Sequence, residues 1–154
     1  MTNQLAPNFS LLDQESIERK LSDFGGSWLV LYFYPKDDTP GCTKEACNFR
    51  DSFHELASRG VQVVGISKDS ASSHKKFATK YNLQVPLLSD QDHKVIEAYS
   101  AWGEKHFMGR TFLGILRMTY LINPAGEIVK TYEKVNPTQH ASEILKDLET
   151  LQSK

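Results

Sequence analysis

Apolar residues along this 154-residue chain fall into two alternating kinds of pattern. WLVLYFY, from Trp28 to Tyr34, is a continuous apolar run rich in aromatics, which predicts a strand covered on both faces. Thr39-Pro40 then opens a helical pattern to about Ser58, with Ala46, Phe49, Phe53, Leu56 and Ala57 on one side. Arg59-Gly60 ends it, glycine being the usual residue beyond a helix C-terminus. VQVVGIS, Val61 to Ser67, predicts a second buried strand. The next helix, from about Ser70 to Tyr81, groups Phe77, Ala78 and Tyr81, and His74-Lys75-Lys76 is assigned to its solvated face. A short strand is expected at Val85 to Leu88 and a helix at Asp92 to Tyr99. MTYLI (Met118 to Ile122) and EIVKTYEKV (Glu127 to Val135) flank the turn residues Asn123-Pro124-Ala125-Gly126, the pattern of a β-hairpin. A final helix from about Thr138 to Leu151 is spaced by Ile144, Leu145, Leu148 and Leu151.

The order β-α-β-α-(β)-α-β-β-α predicts an α/β sandwich. Its first strand–helix unit is a parallel crossover and its last strands form an antiparallel hairpin. Repeats, low-complexity segments and a Pro/Gly/Ser linker are all absent, so residues 1–154 are read as one domain. Hydrophobic residues make up 40 % and charged residues 24 %, an ordinary globular balance. The net charge of −1 supplies no electrostatic reason for nucleic acid or an anionic membrane as partner. MTNQLAPNFSLLDQES has no basic region followed by a long apolar stretch, and no window approaches the ~20 apolar residues of a membrane span. A cytoplasmic location is therefore expected. In a reducing compartment a cysteine pair points to catalysis, redox sensing or metal binding rather than to a static staple.

Both cysteines, Cys42 and Cys47, lie in PKDDTPGCTKEAC just past the first strand. Ligand chemistry in open α/β sheets collects at that carboxyl end of a strand. Proline is favoured at a first helical position, so Thr39 as cap and Pro40 as start put Cys42 in the first turn. Free N–H groups and the positive dipole end there stabilise a thiolate, the nucleophilic form. The CxxxxC spacing is not the CxxC of a thioredoxin-like dithiol. Zinc would need further ligands, and His54, His74, His93, His106 and His140 are scattered. An inert buried thiol suits Cys47 considered alone but explains poorly a cysteine beside Pro-Gly at a helix start.

The spacing carries a geometric consequence. Five residues of α-helix rise about 7.5 Å and turn about 500°, which puts the two Cα atoms roughly 8.6 Å apart. A disulfide needs them within about 7 Å. In one intact helix the two thiols cannot bond, and oxidation has to unwind the turns from about Pro40 to Cys47.

PKDDTPGCTKEAC resembles the active-site segment of the peroxiredoxins, whose PxxxTxxC pattern is met by Pro35, Thr39 and Cys42. The additional Cys47 is similar to the bacterioferritin comigratory protein (peroxiredoxin Q) subfamily. LAPNF, LSDF, VLYFYPKDDTPGCTKEAC, FRD, SHKKFA, PLLSD, WGEK and LRMTYLINPAGEI follow the subfamily's order over nearly the whole chain. Asn8 and Met118 depart from its commoner residues, and neither removes a group with a chemical role. The resemblance implies an α/β thioredoxin-like fold with peroxiredoxin elaborations, a mixed central sheet flanked by helices. It implies a cysteine peroxidase that needs no metal or prosthetic group. By match to the motif Cys42 is the peroxidatic cysteine and Cys47 the resolving one. Thr39 hydrogen-bonds thiolate and peroxide, Pro35 shields the pocket, and Arg117 is the active-site arginine. Read from the sequence alone, Arg117 is a surface arginine at a strand start, Thr39 a helix cap, and Trp102 a partly buried aromatic rather than a pocket or dimer residue.

The expected activity is reduction of hydrogen peroxide or organic hydroperoxides by Cys42, closure of a Cys42–Cys47 disulfide, and recycling by thioredoxin or a similar dithiol. A monomer is expected because the bond closes within one chain. A thiol–disulfide oxidoreductase, disfavoured by the missing CxxC, and a non-enzymatic redox-sensing module stay open as alternatives at this point.

Overall fold

Trp28–Phe33 becomes β4, the strand on which the rest of the sheet is assembled, in a computed structural model that describes residues 4–133, 135–137 and 139–152. Three short strands precede it, β1 (Gln4–Leu5), β2 (Ser10–Leu12) and β3 (Glu18–Lys20), with a 3-10 turn at Leu21–Phe24. After it come α1 (Pro40–Asp51), α2 (Phe53–Ser58), β5 (Val61–Ser67), α3 (Ala71–Tyr81), β6 (Leu87–Ser89) and α4 (Lys94–Ala98). The chain closes with β7 (Trp102–Phe107), β8 (Arg110–Ile115), β9 (Met118–Ile122), β10 (Glu127–Tyr132) and α5 (His140–Gln152). The main sheet runs β1-β10-β9-β4-β5-β6-β2-β3, and β7–β8 form a separate two-stranded sheet.

β4, β5 and β6 are parallel, and β9 and β10 are antiparallel, so both the crossover and the late hairpin are as expected. β4 is apolar throughout because both its faces are covered. Val30, Tyr32 and Tyr34 point into a core shared with Phe49 of α1, Leu56 of α2, Phe77 of α3 and Ile144 of α5. Leu29, Leu31 and Phe33 point the other way, against Ile96 of α4, Phe9 and Phe24. Tyr32 leans over Gly65, its register partner on β5, where a Cβ would come within 2.8 Å of the ring. No helix of the described residues is long and apolar enough to cross a membrane.

Several expected boundaries shift, each for a local reason. The helix drawn from Thr39 to Ser58 breaks at Ser52, whose N–H is shared between the Asn48 and Phe49 carbonyls at 3.2 Å each. The third parallel strand starts at Leu87 rather than Val85, since Pro86 has no N–H to give a ladder. The helix expected at Asp92 begins at Lys94, after His93 takes a left-handed φ of 50°. β10 stops at Tyr132, paired with Thr119, short of the expected Val135. Thr138, the expected start of the last helix, and Lys134 lie outside the described residues.

His74 overturns an assignment. It is fully buried, while Lys75 and Lys76 are exposed as expected. His74 stands at i, i+3, i+4 and i+7 with Phe77, Ala78 and Tyr81, on the apolar stripe of α3 itself.

Candidate active site

The carboxyl end of β4 feeds a turn, Pro35 to Thr39, that delivers the chain into α1. Thr39 occupies the N-cap position with extended backbone and Pro40 the first helical position. The Thr39 hydroxyl does not cap the helix. It donates to the Lys36 carbonyl at 2.9 Å, closing the turn, while the Thr39 carbonyl receives the Thr43 N–H at 2.8 Å. A hydroxyl so engaged keeps its lone pairs for a further donor.

Cys42, in the first turn, is buried with 1 % exposure, and Cys47 is partly buried in the same helix; both thiols are free. α1 spans both cysteines without a break, the arrangement in which the five-residue spacing keeps them from bonding.

Arg117 reaches this helix from 75 residues further along the chain. It sits between β8 and β9, and the Phe33–Met118 pairing brings it to the end of β4 where the turn begins. Its Nη2 donates to Cys42 Sγ at 3.2 Å and its Nη1 to Glu45 Oε1 at 2.7 Å. Gly41 makes room, because a Cβ there would lie 3.2 Å from Nη2. The guanidinium is thus a fork between the thiol and a carboxylate, a use that depends on planar, directed donors.

Glu45 escaped the sequence reading. It is fully buried, its Oε2 has no hydrogen-bond partner, and burial pushes its pKa up to about 7 against the pull of Arg117. Burial also works against the Arg117 charge, but Glu45 and Cys42 outweigh it and hold the guanidinium above its ordinary value. The desolvation cost therefore falls on the carboxyl, since Arg117 retains 23 % side-chain exposure and Glu45 none. A signal was present in the sequence: Cys42, Glu45, Ala46 and Phe49 follow the i, i+3, i+4, i+7 rhythm, and Glu45 is the charged member of that apolar stripe.

Glu45 makes stability depend on pH with a defined sign. Its folded value of about 7 stands above the ordinary 4.5. Between the two the unfolded chain has lost a proton that the folded chain still holds, so stability falls as pH rises through that window and levels off beyond it. His140, buried and pulled down to about 4 mainly by burial, contributes the opposite slope between that value and its ordinary 6.5. Glu45→Gln keeps an acceptor for Arg117 without the charge. Comparing urea denaturation of parent and variant at each pH isolates Glu45. The parent is expected to lose on the order of 2–3 kcal/mol relative to the variant between pH 4 and pH 8. Parallel curves would mean that Glu45 titrates at its ordinary value.

Outside this cluster an open cleft of about 680 Å³ is lined by Pro35, Lys105, Leu116, Arg117, Met118 and Glu133, among others. Pro35 and Arg117 both line the cleft, whereas Thr39 and the buried Cys42 are not among its lining residues. Lys105 comes from β7 and donates to the Ile115 carbonyl at 2.8 Å; burial and then the Arg117 charge pull its pKa below the lysine range. Trp102 stands away from the cleft, half-buried, stacked on His93 with ring centres 4.0 Å apart and Lys68 over its face.

Residues 2–131 match the model of the AhpC/TSA family. Peroxiredoxin Bcp of Bacillus subtilis (strain 168) is 43 % identical over 151 residues, covering 98 % of this chain and 96 % of that protein. Peroxiredoxin Bcp of Escherichia coli (strain K12) is 45 % identical over 141 residues, covering 92 % and 90 %. Among solved structures, the Xanthomonas campestris bacterioferritin comigratory protein superposes with a TM-score of 0.87 at 37 % identity, covering 92 % of this chain and 90 % of that one. A Xylella fastidiosa PrxQ variant does so with a TM-score of 0.89 at 33 % identity, covering 99 % of each. The mixed sheet with its flanking helices is accordingly the thioredoxin-like fold of those proteins. An arginine-held thiol at a helix start, in that fold and with those relatives, leads to one conclusion: the chain belongs to the AhpC/TSA family, as a peroxiredoxin of the Bcp (PrxQ) group, a thiol-dependent peroxidase.

Proposed function

We propose that Cys42 is the peroxidatic cysteine of an atypical two-cysteine peroxiredoxin, resolved by Cys47 within the same chain and recycled by thioredoxin or a similar dithiol. The observation that carries this reading is the Arg117 fork, which holds Cys42 Sγ with one nitrogen and the buried Glu45 with the other. The Cys42 thiolate attacks the terminal oxygen of a hydroperoxide. A sulfur–oxygen bond forms, the O–O bond breaks, and the departing oxygen takes up a proton and leaves as an alcohol, or as water from hydrogen peroxide. Arg117 faces the negative charge in the thiolate and then the charge developing on oxygen. Thr39 has lone pairs to accept from the hydroperoxide O–H, and Pro35 forms part of the wall that keeps water from the thiol.

The product is a Cys42 sulfenic acid. The Cys47 sulfur attacks it, water leaves, and the disulfide forms; an external dithiol then reduces it by exchange. Pro35, Leu116 and Met118 give the cleft apolar wall suited to an organic chain as well as to hydrogen peroxide. The Xanthomonas campestris relative is itself described by its alkyl peroxide reduction activity. No second chain is needed to close the bond, so the working unit is a single-domain monomer in a reducing compartment such as the cytoplasm.

Cys47→Ser tests the resolving step. That variant is expected to consume about one equivalent of peroxide and then stall as a sulfenic acid or over-oxidise. Undiminished steady-state turnover with thioredoxin and its reductase would assign resolution to an external thiol instead. Backbone hydrogen exchange across Thr39 to Phe49 tests the unwinding that the spacing demands: protection is expected in the reduced form and lost in the disulfide form. Equal protection in both, with the bond confirmed by mass, would overturn it.

A further inference from the structure

Behind the turn that starts α1 lies a second polar cluster with no part in the chemistry above. Asp37, 8 % exposed, belongs to that turn; His74, with no exposure, belongs to α3. Asp37 Oδ2 lies 2.8 Å from His74 Nδ1 and receives the Ser73 hydroxyl at 2.8 Å, while Oδ1 receives the Tyr34 hydroxyl at 2.7 Å. The Asp37 backbone N–H donates to Asp69 Oδ2 at 2.8 Å, and Ser67 donates to the same oxygen at 2.7 Å. On the far side of the imidazole, His74 Nε2 lies 3.0 Å from the Leu88 carbonyl of β6.

The proton count follows from these partners. A backbone carbonyl can only accept, so Nε2 carries a hydrogen. Nδ1 faces Asp37, with the Tyr34 oxygen at 3.3 Å already donating to the other carboxylate oxygen. Asp37 accepts from the Tyr34 hydroxyl at Oδ1 and from the Ser73 hydroxyl at Oδ2, so both of its oxygens serve as acceptors in this cluster. Nδ1 then donates as well. Asp37, Asp69 and His74 are the one group among the described residues whose donor atoms approach closely enough, within 4.8 Å, to share a cation. Their bonds to one another and to Tyr34, Ser67, Ser73 and Leu88 already engage those atoms.

We propose that Asp37 and His74 form a buried ion pair, with both imidazole nitrogens protonated, that positions the turn leading into the Cys42 helix and balances the charge beside the thiolate. Arg117 then faces the Cys42 thiolate and Glu45, and the Asp37 carboxylate is matched by its own cation. All of these lie in one low-dielectric neighbourhood: the Tyr32 hydroxyl, raised well above its ordinary value first by burial, also feels Glu45, Cys42, Asp37 and Arg117. Without a charged His74, the Asp37 carboxylate is an uncompensated negative charge next to a site whose task is to hold a thiolate. The pair acts through the turn and the field, and touches no reactant.

The inference rests on the reading of Cys42 as the reactive thiol only for its functional consequence, and its tests use no peroxide. In the reduced parent protein at neutral pH, nitrogen–proton correlation spectra of the histidine rings are expected to show His74 protonated at both nitrogens. An unprotonated Nδ1 would overturn the proposal outright, whatever the variants do. His74→Gln is expected to slow alkylation of Cys42 by a neutral reagent at pH 7 by roughly tenfold, the scale of one buried charge on an ionisation. Asp37→Asn/His74→Gln, which removes the anion together with the cation, is expected to recover most of that loss. A packing role alone predicts the opposite, a double variant no better than His74→Gln, and that result would also overturn the proposal. Loss of peroxidase activity with Cys47→Ser or Cys42→Ser bears on the catalytic reading and leaves this pair untouched.

Discussion

Cys42→Ser is expected to eliminate peroxide reduction, by on the order of 10⁴–10⁶-fold, the range found when an enzyme loses its nucleophile. The hydroxyl is close in size to the thiol and has an acceptor lone pair for Arg117 Nη2, which reaches Cys42 Sγ at 3.2 Å in the parent. The fold and the cleft should therefore survive, and the melting transition provides the control. The hydroxyl is essentially never ionised at neutral pH, and an oxygen cannot take the place of a soft, polarizable sulfur in attack on the O–O bond. Stopped-flow peroxide consumption with thioredoxin and its reductase reads the outcome. Turnover at the parent rate would remove Cys42 from the chemistry and leave Cys47 as the alternative nucleophile.

Arg117→Ala is expected to slow oxidation of Cys42 by roughly 10²–10³-fold, the loss typical of removing one preorganised donor from a developing anion. Two effects are mixed in that variant. One is the loss of the Nη2 bond to the thiolate. The other is that Glu45, fully buried and paired only through Nη1, is left without its partner. Removing one member of a buried pair commonly costs about 3–5 kcal/mol unless the survivor neutralises, and Glu45, already near 7, has that route by taking a proton. Arg117→Ala/Glu45→Gln separates the two. It is expected to recover stability while leaving the reaction slow, because no donor returns to the sulfur. Arg117→Lys restores charge but not a planar fork that serves Sγ and Oε1 together, so a partial rate is expected. A double variant that reacts at the parent rate would show that Arg117 matters only to the fold.

Much of the fold could be read from local patterns because burial leaves a periodic trace. β4 is apolar at every position since helices cover one face and α4 with the N-terminal segment the other; α3 and α5 show their apolar stripes. The elements that went unread leave little trace. β1, β2 and β3 are two or three residues long and lie at or next to the sheet edges, too short for a period to register. β7 and β8 are mostly exposed, and their two-residue turn is Met108-Gly109, with φ of 51° and 78°. That is the geometry asparagine–glycine usually announces, and methionine does not announce it.

The site divides along the same line. Taken alone, the sequence determined that a thiol stands in the first turn of a helix at the end of a buried strand. It also determined that Cys47 is too far along that helix to bond without unwinding. Both follow from spacing along one element, where distance in sequence is distance in space. Glu45 and His74 were legible in principle by the same logic, as charged or titratable members of apolar stripes. What they pair with was not, because a stripe says that a residue is buried and nothing about what it meets. The tertiary structure alone decided that Arg117, 75 residues away, forks between Cys42 and Glu45. It alone set Asp37 against His74 across 37 residues, and brought Lys105 to the cleft wall through a hairpin with no sequence signature. Those juxtapositions come from strand order and register, β9 beside β4 and α3 beneath the turn, and such long-range pairings are fixed by the packing of the whole sheet rather than by any local run of residues.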